Sequence, residues 1–166
     1  SITFFKTVQN KMHWAIVGKT AAEIIRDRAD KNKPNMGLTC WRGTKVRKQD
    51  VSIAKNYLSE EELGALNNLV EQYLIFAEGQ AMRRVPMHMK DWIKKLDGFL
   101  SLNDREILSH SGKVSHELAI EHGEEQYEDY QKKRLHSQDQ LESDFDRSIK
   151  MIEGKRKSFP KSRIKK

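Results

Sequence analysis

The chain of 166 residues has few of the residues that cross-link or punctuate a fold. Cys40 is the only cysteine, so no disulfide can form within the chain and nothing in it calls for an oxidising compartment. There are three prolines and nine glycines, and so few breakers favour long helices over a sheet with many turns. No apolar run approaches the ~20 residues of a membrane-spanning helix. No secretory h-region is present, and no stretch alternates with period two. A membrane partner is therefore not expected. The chain starts at Ser1 rather than methionine, which suggests an excised piece of a longer protein that lacks an N-terminal partner domain.

The familiar catalytic signatures are missing as well. There is no Walker A loop, no G-x-G-x-x-G, no G-x-S-x-G and no C-x-x-C. His116, Glu117 and His122 look like a damaged zincin motif. Residues six apart on a helix are rotated by about 240°, so the two imidazoles face different ways. No metal site and no cofactor are expected. His110, His116, His122 and His136 are read as surface histidines, and Cys40, beside Trp41, as a buried inert thiol.

What the chain does have is charge, and it is unevenly placed. The formal net charge is +7. Residues 1–50 hold 11 Lys and Arg against 4 Asp and Glu; residues 51–154 hold 13 against 20; residues 155–166 hold 7 against none. The layout is basic, acidic, basic. A basic patch is the electrostatic footprint of a nucleic-acid binder. Lys155, Arg156, Lys157, Lys161, Arg163, Lys165 and Lys166 are the residues expected to touch phosphates of DNA or RNA.

Helical periodicity runs through most of the rest. A first helix is expected over 3–17, with Phe4, Phe5, Val8, Met12, Ala15 and Ile16 on its apolar side, closed by Gly18. Thr20 opens a second, where Glu23 completes a capping box. Residues 30–46 lose the period but carry Met36, Leu38, Cys40 and Trp41, so a long packed loop is expected. Asp50 should cap a short helix to Leu58. Ser59 and Glu62 make another capping box for a helix to about Val85, with Leu66, Val70, Tyr73 and Ala77 in one stripe. A helix over 89–102, a short one over 104–109, and two charged helices over 114–135 and 138–153 complete the expectation. The fold class is all-α, an irregular bundle of about six or seven helices with a long C-terminal αα-hairpin. The divisions are a core at 1–113 with its structured loop 30–46, a helical hairpin or arm at 114–153 and a basic tail at 154–166. The arm suggests a homo-oligomer.

Segment 10–50 holds the candidate site. A helix N-terminus presents free N–H groups and partial positive charge, which suits an anion. Lys19 and Thr20 lie at such an N-terminus, with Asn35 and Arg47 able to reach it from the loop. His13 and Glu23 are the candidate acid–base groups. The competing structural reading has Glu23 capping the helix and Arg26 pairing with it or with Asp30.

Several strings in this sequence closely resemble the C-terminal domain of the RhuM virulence-protein family. They are FFKTVQNKMHWA from Phe4, GKTAAEII from Gly18, RAD from Arg28, KPNMGLT from Lys33, AKNYL from Ala54, LN from Leu66 and DWIKKLD from Asp91. The resemblance extends to about Arg134 and implies a bacterial cytoplasmic protein from a mobile element or pathogenicity island. It also implies that the complete form has an N-terminal winged or helix-turn-helix-like domain. A similar N-terminal domain is found joined to Fic-type toxin domains, whose motif is H-x-F-x-x-G-N-G-R. His13 and Gly18 keep that spacing, but Ala15, Lys19, Thr20 and Ala21 replace its aromatic, asparagine, glycine and arginine. Fic chemistry is not expected. The leading expectation is a regulatory and oligomerisation domain of a DNA-associated protein. The alternative is an effector enzyme acting on a nucleotide or phosphate ester through His13 and Lys19.

Overall fold

A computed structural model describes the backbone of residues 2–158 and most of their side chains. Among the described residues there are five α-helices and three short 3-10 turns, with no strand. None of these helices is long and apolar enough to cross a membrane. The chain divides into two compact units, residues 1–127 and 128–166.

Helix α1 spans Ile2–Val17. Gly18 stops it by adopting φ +69°, with its N–H donating to Trp14 O at 2.8 Å. Helix α2, Ala21–Arg28, begins at a complete capping box. The Thr20 N–H donates to Glu23 Oε2 at 2.8 Å, and the Thr20 hydroxyl accepts from the Glu23 N–H. Such caps satisfy N–H groups that a helix leaves orphaned.

The loop after α2 packs into the core. Met36 is fully buried, and Leu38 and Val46 are nearly so. Asn35 and Met36 take positive φ, 51° and 60°. At Gly37, φ is +81° and a Cβ would lie 2.3 Å from Arg28 O, so only glycine fits. The helix expected from Asp50 to Leu58 is instead two 3-10 turns, Lys48–Asp50 and Ala54–Tyr57. Asp50 does not open an α-helix; its carboxylate accepts from the Arg47 N–H at 2.8 Å. The buried Asn56 side chain donates to Asp50 O, and Tyr57 OH donates to Val51 O at 2.8 Å. Local polar bonds hold this segment in turns in place of helix.

Helix α3, Glu60–Met82, starts at the Ser59–Glu62 capping box. It ends earlier than Val85, because Arg84 takes φ 52°. Helix α4 is Met89–Leu102. No helix forms over 104–109: Asp104 sits in a turn with φ 54°, and 105–109 have no regular secondary structure. Helix α5 is continuous from His116 to Ser158. The join expected between 135 and 138 is absent, so there is no αα-hairpin. Nothing in 136–137 breaks a helix: His136 and Ser137 are neither glycine nor proline.

Within residues 1–127, α1 packs on α3 and α4, and α2 packs on the turn at 54–57. Arg28 ties α2 to α3. Its Nη2 donates to Glu62 Oε1 at 2.7 Å, and its Nη1 donates to Glu62 Oε2 and to Tyr57 O. The first turns of α5 also pack closely: Ala119 is fully buried, and a Cβ on Gly123 would lie 3.2 Å from Val51 O. Residues 128–158 are the remainder of α5, with i,i+3 ion pairs such as Lys132–Asp129 and Arg147–Asp144 along its surface.

Candidate functional site

The junction of α1 and α2 is closed by the chain itself. Glu23 caps its own helix and also accepts from the Lys113 N–H at 2.7 Å through Oε1. The Ala21 N–H donates to Asn10 Oδ1 at 3.1 Å. Burial alone would raise the Glu23 carboxyl, but the hydrogen bonds from the Lys113 and Thr20 N–H groups outweigh it and hold it below its ordinary value. The protein's own oxygens thus take N–H groups that an external anion would seek: the Glu23 carboxylate takes that of Thr20, the Asn10 amide oxygen that of Ala21 and the Thr20 hydroxyl that of Glu23. Thr20 is buried at 1% exposure, and Gly112 comes so close that a Cβ there would lie 2.9 Å from Thr20 Cγ2.

Beside this knot lies a polar cleft of about 410 Å³, with Trp14, Lys19, Glu23, Arg26 and Lys113 in its wall. Lys19 is paired with Asp27, not with Glu23, and His110 stands edge-on to Trp14 with ring centroids 4.8 Å apart. Arg47 lines a different cleft, with Lys48 and Glu124, which form an ion pair at 3.0 Å. Asn35 stays in the packed loop, where its carbonyl accepts from the Leu38 N–H. Lys155, Arg156 and Lys157 fall within the bounds of α5. Lys161, Arg163, Lys165 and Lys166 lie outside the described residues. No group of histidine, cysteine and carboxylate side chains suited to a metal occurs among the described residues. His122 is half-buried, with Nε2 3.3 Å from Ala29 O. Cys40 is also half-buried, its Sγ 3.6 Å from Asn56 Oδ1.

His13 is elsewhere. It is 4% exposed and lines a separate apolar groove of about 580 Å³ formed by α1, α3 and α4. Met12 from α1, Leu66 and Val70 from α3, and Trp92 from α4 share that wall. The framework is firmly pinned. Tyr73 OH donates to Trp92 O at 2.7 Å. Burial, with a smaller effect from the Asp97 charge, pushes the Tyr73 phenol up to about 12. The buried Lys11 ammonium lies 2.7 Å from Asp97 Oδ1 and donates to Leu108 O at 3.0 Å, tying α1 to α4 and to the strap after it. His13 Nδ1 sits 2.8 Å from Gln9 O, and Nε2 has no partner. Burial keeps the imidazole pKa below its ordinary value, against the opposing effect of the Gln9 carbonyl.

The candidate residues therefore do not converge. Lys19 and Glu23 share one cleft, while His13, Thr20 and Arg47 line three others. The sequence does not mark the groove as a site. Its residues were legible as two apolar stripes, on α1 and α3. What the sequence concealed is that the stripes do not close on each other, so that Phe5 and Leu74 remain 66% and 61% exposed.

These features define an all-helical domain with an internally capped polar junction and an open apolar groove. A family model described as the virulence protein RhuM family matches residues 1–138. The chain belongs to that family. No curated protein and no solved structure matches it.

Proposed function

We propose that this chain is the self-associating domain of a nucleic-acid-associated virulence protein, and that it pairs with a second copy through the far part of α5. The observation that carries this reading is the apolar face formed by Leu141, Phe145, Ile149 and Ile152. These residues are 71%, 65%, 38% and 66% exposed. Their spacings of four, four and three put them on one side of the helix. Tyr130 continues the same face toward the N-terminus. A face of this kind matches itself under two-fold symmetry, and burying each side chain fully is worth about 1.5–3 kcal/mol. The basic ends supply phosphate contacts in this reading, consistent with the charge layout and with what the family resemblance implies.

The enzyme alternative needs His13 and Lys19 at one centre, and they line different clefts. The assembly reading is therefore preferred. Sedimentation equilibrium tests it. The chain should sediment as a dimer, and Leu141→Ser with Phe145→Ser should weaken association at least about tenfold while leaving helix content unchanged. A wild-type chain that stays monomeric at hundred-micromolar concentration would remove the reading.

A further inference from the structure

The groove between α1, α3 and α4 has a second property that self-association through α5 does not use. Its volume of about 580 Å³ falls among pockets that take small ligands, roughly 300–1,000 Å³. Phe4, Phe5, Tyr73 and Trp92 line it, and no Lys, Arg, Asp or Glu does. One strongly polar ring is built into this wall. The partner of His13 Nδ1 is the Gln9 carbonyl, which can only accept. Nδ1 therefore carries the proton and donates, leaving Nε2 as a bare acceptor. That nitrogen is sealed from water and has no hydrogen-bond partner. Buried polar atoms are almost always satisfied, and an exception asks for its missing partner. The surrounding backbone cannot provide it, because N–H groups within a helix are spent on the helix's own carbonyls, and the Gln9 side-chain amide, which also lines the groove, makes no bond to it.

We propose that the groove binds a small uncharged aromatic molecule carrying one hydrogen-bond donor, an indole or a phenol, whose N–H or O–H reaches His13 Nε2. The aromatic walls accept the ring in offset or edge-to-face contacts. The absence of wall charge selects a neutral body. His13 belongs to the groove wall, but its Nε2 has no water-accessible surface, so a wall side chain must move aside for the donor to reach it. Phe5 and Leu74, exposed at the rim, lose their water contact when the groove fills. A docked helix meets this requirement less well, because its backbone donors are already used.

Indole is the probe, and benzothiophene, of nearly the same shape but without the N–H, is its control. Binding is followed by NMR on the full chain, through the methyl groups of Leu66, Val70 and Leu74 and the ring nitrogens of His13. Indole should shift these signals saturably, move Nε2, and bind at least about tenfold more tightly than benzothiophene, as loss of a donor to a buried acceptor requires. His13→Leu should erase the preference while benzothiophene still binds. Val70→Trp, which fills the groove, should abolish binding of both rings without lowering helix content. Three outcomes overturn the proposal: no saturable shift with indole, equal affinity for the two rings, or methyl shifts that follow protein concentration with no probe added. The last would show that a second copy covers the groove.

Discussion

Ile24, Met36, Val51 and Tyr57 are each 1% exposed or less, whereas Leu141, Phe145 and Ile152 are 65% exposed or more. The first group comes from a short helix, two 3-10 turns and the residue that follows a third; the second comes from a stripe with regular helical spacing on α5. The contrast separates two things that periodicity is often taken to mean together. A 3.6-residue repeat says that a helix has an apolar side. It does not say that anything covers that side. In residues 1–127 helices cover one another and segments without a period add to the covering, held by bonds between residues far apart in sequence, such as Lys113 N–H to Glu23 and Lys11 to Leu108. In residues 128–158 contacts such as Ser137 to Lys133 O, Ser148 to Asp144 O, Lys132 to Asp129 and Arg147 to Asp144 join residues no more than four apart along the helix.

The largest expected effect sets the two regions directly against each other. Met36→Ala removes a fully buried side chain from the loop and should cost about 2–5 kcal/mol in urea unfolding. Phe145→Ala, measured at low micromolar concentration where any dimer is dissociated, should stay within about 0.5 kcal/mol of wild type. Similar losses from the two substitutions would erase the distinction between a covered and an uncovered apolar residue.

A middle-sized effect concerns the link between α2 and α3. Glu62→Gln leaves Arg28 with half of its bidentate partner and should lower stability at pH 7 by about 1–3 kcal/mol. The pH dependence sharpens the point. The Arg28 guanidinium holds the Glu62 carboxyl at about 2, against an ordinary value of 4.5. A carboxyl with a depressed folded-state pKa contributes stability that is present above its unfolded value and is lost as pH falls through the folded one. Wild type should therefore lose stability between pH 4.5 and pH 2 more steeply than Glu62→Gln. Parallel acid limbs for the two proteins would show that the pair does not link the helices.

These residues also mark how much of the molecule the sequence discloses. The Thr20–Glu23 and Ser59–Glu62 boxes are read from four-residue strings and stand in the structure as written, because capping is a local interaction. The bounds of α4 are likewise as expected. Legibility stops where a distant segment decides. Asp50 belongs to a turn because Asn56 and Tyr57 return side chains to the backbone at Asp50 and Val51. Glu23 fits both a cap and a candidate acid–base group in the sequence, and only the arrival of Lys113 engages both its oxygens. His13 and Lys19 are six residues apart in sequence, yet they line different clefts. The orphaned Nε2 has no sequence signal, since its isolation depends on three helices meeting around it.

The smallest expected effect tests that isolation through pH. His13 is buried as a neutral ring, and burial holds its pKa below the ordinary 6.5. The unfolded chain takes up its proton at the ordinary value, whereas the folded chain resists until a lower pH. The stability contributed by keeping the ring neutral is therefore complete above pH 6.5 and is lost as pH falls from 6.5 toward the folded-state value. His13→Leu has no such proton to take up, so its unfolding free energy should fall less than that of wild type between pH 7 and pH 5. The same titration reaches the groove. Protonation turns Nε2 from an acceptor into a donor, so the preference for indole over benzothiophene should decline only as pH falls through the folded-state value, at the lower edge of the interval in which wild type loses stability. A preference that persists unchanged while the ring titrates would place the discriminating contact somewhere other than His13.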